Sequence, residues 1–272
     1  MVSQRLATAL VLLVVVLAAV FLLPSAWFAL TLALAVLAGG WEWCALVGLP
    51  RGPERIAYLT LLGAVLAAVW WTMSLPGVAP ALLAAAFLWW VLVVGWLVQY
   101  QSGQPSALQR PWQRAMAGVV TLVPGWLALT LMHREGPHWV LFLFALTAMA
   151  DTGAYFAGKR WGRVKLAPRI SPGKTREGVY GGLAGCTLLA LAAGLVFGLA
   201  PLPLAVLVLL SVVTALFSVA GDLFESMLKR DVGLKDSSHL LPGHGGILDR
   251  VDSLTAAAPV FLGGWYLLGG LH

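Results

Sequence analysis

Residues 6–23 read "LATALVLLVVVLAAVFLL", a run with no charged residue. Two readings compete for it: a secretory leader, or a helix kept in a bilayer. Arg5 stands just before the run, as it would in a leader. The apolar core is long for a leader, however. No A-x-A-like site opens onto a polar domain, and a second apolar run starts at once. The stretch is therefore expected to be a retained first membrane span.

The rest of the chain repeats the pattern. Of 272 residues, 60% are hydrophobic and 10% charged, and the mean hydropathy is +0.90. Soluble domains are typically about 45–50% apolar and about 25% charged. A span needs roughly 20 residues to cross about 30 Å of hydrocarbon. Eight further runs qualify: 27–47, 56–73, 78–98, 115–132, 137–158, 178–198, 203–228 and 254–271. Pro24, Pro50, Pro76, Pro80, Pro137, Pro201 and Pro203 fall in or beside the breaks, where a missing N–H does least harm. The expectation is an all-α, polytopic integral membrane protein with about nine transmembrane helices and a cytoplasmic N-terminus. Residues 1–272 would form one membrane domain. Its N-terminal spans cover 1–132, and its C-terminal spans, 133–272, carry polar segments 151–178 and 222–252. No internal repeat, low-complexity tract or soluble domain is evident.

The net charge is +6 and the isoelectric point near 9.7. In such a protein a basic excess belongs to cytoplasmic loops, not to nucleic-acid binding. Alternating the nine spans places Arg5, Arg51, Arg55, Arg110 and Arg114 on one side. Seven cations between Lys159 and Arg176, then Lys229, Arg230, Lys235 and Arg250, join them. That is sixteen of the seventeen cations; Arg134 alone is opposite. The positive-inside rule makes the rich side cytoplasmic. Both polar segments then face one compartment, as two halves of one site must. Trp27, Trp41, Trp43, Trp70, Trp71, Trp112, Trp139, Trp161 and Trp265 lie near span ends and are expected to form an interfacial belt. Cys44 and Cys186 sit in apolar runs without metal or redox spacing, and read as small hydrophobes.

Five acids fall in or at the ends of spans: Glu42, Asp151, Asp222, Glu225 and Asp252. An ionised acid in hydrocarbon costs at least about 2.5 kcal/mol, so such acids are usually paired, hydrated or functional. Asp222, Glu225 and Lys229 follow i, i+3, i+7 spacing and share a helix face. They are either a salt-bridge ladder or one wall of a polar site. Glu42, between two tryptophans, is expected to be structural, pairing with a basic loop residue.

The first polar segment is "DTGAYFAGKRWGRVKLAPRISPGKTREG", 151–178. Its "PGKT" is not a phosphate-binding P-loop, because that motif needs glycine where Pro168 stands. Ser171, Lys174 and Thr175 are nevertheless phosphate-contact residue types, and Asp151 precedes them at membrane depth. The alternative is a charge run that only sets topology or binds anionic lipid. The second segment is "SMLKRDVGLKDSSHLLPGHGGILDRVD", 226–252. Its four cations and four aspartates cancel, which a lipid anchor would not do. Clustered aspartates suit Mg²⁺, which binds through one or two carboxylates plus substrate phosphates. Zinc is disfavoured, since His239 and His244 lack thiolate partners. Gly245 and Gly246 allow close backbone approach.

These residues carry a resemblance. Ser226 to Asp252 meets every fixed position of S-x-[LIVMF]-K-R-x4-K-D-x-[GSA]-x2-[LIF]-[PGS]-x-H-G-G-[LIVMF]-x-D-R-[LIVMFT]-D, the pattern of the phosphatidate cytidylyltransferases, or CDP-diacylglycerol synthases. "SPGKTREG" is similar to the family's S-P-x-K-[ST]-x-[EQ]-G segment, and "WEW" at 41–43 also resembles it. The resemblance implies that CTP and phosphatidate give CDP-diacylglycerol and pyrophosphate at a cytoplasmic face of the inner membrane, with Mg²⁺ required. The family pairs Mg²⁺ with K⁺, so K⁺ is a candidate second metal. By motif position Asp222 and Asp249 match the metal-ligand aspartates. Candidate catalytic residues are Asp222, Lys229, Arg230, Lys235, Asp236, His244, Asp249, Arg250 and Asp252. Candidate substrate contacts are Asp151, Ser171, Lys174, Thr175, Gly245 and Gly246. The expected partners are CTP, phosphatidate and the bilayer, with a homodimer left open. Two other classes remain in view: a transporter, and another membrane phosphotransferase acting on a lipid phosphate.

Overall fold

A computed structural model describes residues 2–49, 52–238, 240 and 245–268. Among the described residues nine helices lie along the expected runs: α1 (Val2–Leu22), α2 (Ser25–Val47), α3 (Pro53–Thr72), α4 (Val78–Gln101), α5 (Pro111–Glu135), α6 (Pro137–Trp161), α7 (Arg176–Val196), α8 (Pro201–Asp231) and α9 (Leu248–Leu267). Proline opens α3, α5, α6 and α8, where its missing N–H would have no partner anyway. Gly48, with φ +82°, closes α2 in the left-handed conformation. Among the described residues seven helices, α2 to α8, are long and apolar enough to cross a membrane. The protein is a helical, polytopic membrane protein. The apolar part of α1, Leu10–Leu22, is shorter, and α9 begins with Asp249, Arg250 and Asp252.

Two differences from expectation matter for the site. Between α6 and α7 lies an antiparallel hairpin, β1 (Lys165–Ala167) with β2 (Ser171–Thr175), where a turn-rich loop was expected. Both polar segments are also shorter as loops than their composition suggests. Helix α8 runs on through Lys229 and Arg230, because nothing stops it before Gly233. There φ reaches +71°, and Leu234 N–H closes on Lys229 C=O at 2.8 Å. At the other end α9 starts at Leu248, six residues before its apolar run.

Helix α5 is the packed centre, buried along most of its length. It lies against α2, α4 and α9, and α9 lies against α8. The ends sort into two sets. At one end His133 of α5 bridges Ser25 Oγ and Val20 C=O, each at 2.9 Å. That ties α1 and α2 together. Trp139 and Trp265 meet there too, with ring centroids 4.2 Å apart. The other end gathers the polar segments. Arg114 of α5 reaches Leu46 C=O of α2 at 3.3 Å and Asp231 of α8 at 3.6 Å. Tryptophan divides in the same way. Trp27, Trp41, Trp71, Trp112 and Trp161 are exposed, as a belt requires. Trp43 is a correction, being 1% exposed with Nε1–H donating to Arg114 C=O. Cys44 and Cys186 are free and buried.

Helices α6 and α7 approach closely because small residues line both. A Cβ on Gly182 would stand 2.6 Å from Ala150 C=O, and one on Gly153 2.7 Å from Gly181 C=O. Small residues let membrane helices touch backbone to backbone. Gly182→Val should therefore lower the melting temperature in detergent, since overpacking costs about 1–3 kcal/mol. Gly95→Ala, where a Cβ meets nothing within 4 Å, should leave it unchanged or slightly raised. Equal melting of the two variants would contradict the close packing.

Candidate active site

The charged end is assembled from the last turns of α2, α6 and α8 and the first turns of α7 and α9. Strand β2 delivers Lys174, whose Nζ lies 2.5 Å from Asp222 Oδ2. The other oxygen of Asp222 accepts only a long bond, 3.3 Å, from Ser226 Oγ. Asp222 is about a quarter exposed and keeps acceptor capacity. Asp151 on α6 interacts electrostatically with Asp222, Lys174 and Arg250. Asp151, Lys159, Lys174 and Thr175 line a cavity of about 350 Å³.

One and two turns further along α8 lies a buried triad. Lys229 Nζ sits 3.0 Å from Glu225 Oε1 and 2.6 Å from Asp249 Oδ1. The i, i+3, i+7 face thus splits: Lys229 pairs with Glu225, while Asp222 turns to Lys174. Asp249 is heavily engaged. It accepts from Gly246 N–H at 2.8 Å and from both Ser237 N–H and Ser237 Oγ at 3.0 Å. It holds Ser237 and Gly246 in place between α8 and α9.

Glu42 completes that arrangement, and not as expected. Among the described residues it meets no basic side chain. It accepts from Ser238 Oγ at 2.6 Å, Leu248 N–H at 2.7 Å, Ile247 N–H at 3.0 Å and Ser237 Oγ at 3.1 Å. The first N–H groups of a helix lack internal partners and favour negative charge. Glu42 supplies both needs for α9, which is why that helix begins so early. The glycine pair follows from this. Gly245 has φ +82°, and a Cβ on Gly246 would lie 2.0 Å from Ser237 Oγ and 2.6 Å from Glu42 Oε2.

Other expected residues fall as follows. Thr175 caps α7, its Oγ1 accepting from Gly178 N–H at 3.1 Å. Glu177 of that turn accepts from Arg163 N–H at 3.0 Å. Ser171 opens β2. Arg230 donates from Nε to Ile170 C=O at 3.3 Å and so pins the hairpin to α8. Asp252 interacts electrostatically with Asp222, Lys174 and Lys229. Lys235, Asp236 and Arg250 are exposed around the site. His244 lies outside the described residues. Reading the sequence missed Ser237 and Ser238, which look like ordinary loop serines. The early α9 start leaves a trace only in the acidic "LDRVD" opening.

These features define a class first: a helical membrane protein whose acids and lysines converge at one end of the bundle. The chain belongs to the cytidylyltransferase family, whose pattern matches residues 3–267. A phosphatidate cytidylyltransferase of Pseudomonas aeruginosa is 43% identical over 267 residues, 96% of each chain. One from Haemophilus influenzae is 38% identical, over 96% of this chain and 97% of that relative. One from Staphylococcus saprophyticus is 43% identical over about half of each chain.

Glu42→Ala would strand three donors, Ser238 Oγ–H and the N–H groups of Ile247 and Leu248, each costing about 1–3 kcal/mol when buried without a partner; Ser237 Oγ–H keeps Asp249. The variant should melt well below the parent and lose its return-loop structure, read as faster proteolysis within 232–247. Glu54→Ala, on the exposed first turn of α3, is the control. Matching melts for the two would contradict the capping role of Glu42.

Proposed function

We propose that the chain transfers the cytidylyl group of CTP to phosphatidate, leaving CDP-diacylglycerol in the membrane and releasing pyrophosphate. The observation that carries this is the convergence of two polar segments, 151–178 and 222–252, which Lys174–Asp222 joins while Lys229–Asp249 closes the second on itself. Full-length likeness to two phosphatidate cytidylyltransferases supports the choice of substrates. A transporter would place its site near the midplane between repeats, whereas these acids lie at one end.

A phosphate oxygen of phosphatidate attacks the α-phosphorus of CTP in line. The new P–O–P bond forms as the bond to the β-phosphate oxygen breaks, and pyrophosphate leaves. The nucleophile is already anionic near neutral pH, so no strong base is required. Catalysis is positioning plus charge neutralisation. Lys174 and Lys159 hold phosphate oxygens in the cavity. Lys235 and Arg250, both exposed at the rim of the site, neutralise the leaving group. Lys229 keeps Glu225 and Asp249 in place, and Thr175 and Arg230 position β2.

The residues present fit a divalent cation. Asp151, Asp222, Glu225, Asp249 and Asp252 against Lys174, Lys229 and Arg250 carry a formal charge of −2, which an anionic nucleotide would meet as repulsion. Among the described residues no group of three or more His, Cys, Asp or Glu is placed to hold a metal. Two carboxylates completed by substrate phosphates is the way Mg²⁺ is usually bound. Asp222, with one oxygen holding only a long bond, has the acceptor capacity for it, and Asp249 would be the second carboxylate. Bound there, Mg²⁺ supplies charge stabilisation to the phosphates; K⁺ is the second candidate. Sixteen of the seventeen cations fall on one side when the apolar runs alternate, which by the positive-inside rule supports a charged end facing the cytoplasm; the bacterial relatives support residence in the inner membrane.

Detergent-solubilised protein given CTP, dioleoyl phosphatidate and Mg²⁺ should release pyrophosphate without any sealed compartment. Activity only across a gradient would favour transport instead. Asp222→Asn should nearly abolish turnover with little loss of melting temperature. Asp249→Asn should lower both, since it also loosens Lys229 and the return loop. Lys174→Ala should raise KM for CTP about ten- to a hundredfold, the worth of a charge-assisted contact. Unchanged CTP dependence in that variant would return the 159–177 segment to a topology role. For sidedness, with Cys44 and Cys186 removed, Gln104→Cys should label only from the cytoplasm and Ser74→Cys only from outside. The reverse pattern would invert the orientation.

A further inference from the structure

An apolar groove of about 690 Å³ runs beneath the hairpin, between α4, α7 and α8. Its size falls within the roughly 300–1,000 Å³ of pockets that enclose a whole small ligand. Leu216, Ala220 and Leu223 form its α8 wall, and Val94 and Val98 its α4 wall. It extends about 10 Å along each helix, at 1.5 Å per residue. Ile170 roofs it, and the roof is pinned twice. Arg169 N–H donates to Gln101 Oε1 at 3.2 Å, and Arg230 Nε to Ile170 C=O at 3.3 Å. The side remains open, since Val98 is 66% and Leu216 46% exposed.

The groove touches the polar cavity. Val179 and Val219 line both. Helix geometry explains the continuity. At about 100° per residue, Leu216 and Leu223 share a direction, Val219 lies about 60° round from them, and Asp222 about 60° beyond that. One helix therefore presents oil, then a boundary, then a carboxylate held by Lys174. The hairpin repeats this order, with Ile170 over the groove and Lys174 in the polar cavity, about 13 Å further along at 3.3 Å per strand residue. A ligand filling both spaces has an anionic head and a long apolar tail.

We propose that this groove is the acyl-chain site of the lipid substrate. The chain of phosphatidate lies under the hairpin against α4 and α8, while its phosphate projects past Val179 and Val219 toward Lys174 and Asp222. The proposal rests on the cytidylyl-transfer reading above. It adds how the lipid enters: sideways from the bilayer between α4 and α7, not from the water. It also assigns chain-length preference to Val98, Leu216 and Ala220, which touch no charged group of the site.

Val98→Trp and Leu216→Trp fill the open side of the groove without overpacking a buried position. Leu92→Trp is the control, exposed on another face of α4. KM is measured in fixed detergent for dioleoyl and dihexanoyl phosphatidate and for CTP. The groove variants should raise KM for the dioleoyl substrate about tenfold or more, the effect of keeping two or three methylenes from burial. KM for dihexanoyl phosphatidate and for CTP should move less than twofold, and Leu92→Trp should change none of them. Equal shifts for long- and short-chain substrates, or none for either, would overturn the assignment. So would a chain-length-independent loss with altered oligomeric mass by light scattering, which would make the groove a surface between two copies. If the parent makes no CDP-diacylglycerol from either substrate, it is the cytidylyl-transfer reading that fails.

Discussion

Lys229 carries its ammonium into the protein interior, between Glu225 and Asp249, with only a tenth of its side chain exposed. Buried charges are tolerable only as a complete set, since removing one partner from such a pair costs about 3–5 kcal/mol. The set is closed by groups far apart in the chain. Asp249 needs the N–H of Gly246 and the N–H and hydroxyl of Ser237, and Ser237 needs Glu42. Helix α2, the long α8 and the start of α9 are therefore folded onto one another, through Ser237 and Gly246, by electrostatics that no single segment satisfies. Apolar packing decides that there is a bundle; this network decides where its polar end sits.

The same network determines which groups remain for substrate. Helix N-termini are natural anion sites, and α7 and α9 both start at the charged end. Both are already occupied. Thr175 accepts from Gly178 N–H in the first turn of α7, and Glu42 accepts from the N–H groups of Ile247 and Leu248 at the start of α9. A phosphate arriving here finds side-chain cations on the hairpin and the loop rim, not free backbone N–H groups. That accounts for a loop rich in lysine and arginine above a floor rich in acids.

Much of this was legible in the sequence, and the division is physical. Span positions follow from hydropathy, a sum over many residues, so all nine helices lie where the apolar runs lie. The gathering of Asp222, Asp249 and Lys174 could be expected from their motifs. The extents of α8 and α9 could not be read from hydropathy, because their last and first turns are polar. Those turns persist through tertiary contacts: Lys229 with Asp249, and Glu42 with the N–H groups of Leu248 and Ile247. Glu42 itself was recognisable as a costly buried acid. Its partners were not, since backbone N–H groups carry no sequence signal. The hairpin escaped notice for a similar reason. "SPGKT" has poor strand propensity, and it is extended because Arg230 and Gln101 hold its turn from two sides.

Helix α8 gathers these roles because it is long and because a helix shows different faces to different neighbours. Toward α4 it is apolar, with Leu216, Ala220 and Leu223. Toward the hairpin it offers Asp222 to Lys174 and, lower on the helix, Arg230 to Ile170. Toward α9 it offers Gly221, where a Cβ would stand 2.6 Å from Asp252 C=O, and then Lys229 to Asp249. Toward α5 it offers Asp231 to Arg114. A small rotation of α8 about its axis would disturb all four at once, so each contact restrains the others. The two aspartates therefore differ in kind despite sharing one motif. Asp222 pairs with Lys174 of the cavity wall and leaves one oxygen with only a long bond, whereas Asp249 is held by Lys229, Gly246 and Ser237. A ligand drawing on both would find one carboxylate with acceptor capacity to spare and one already held by its neighbours as a reference point.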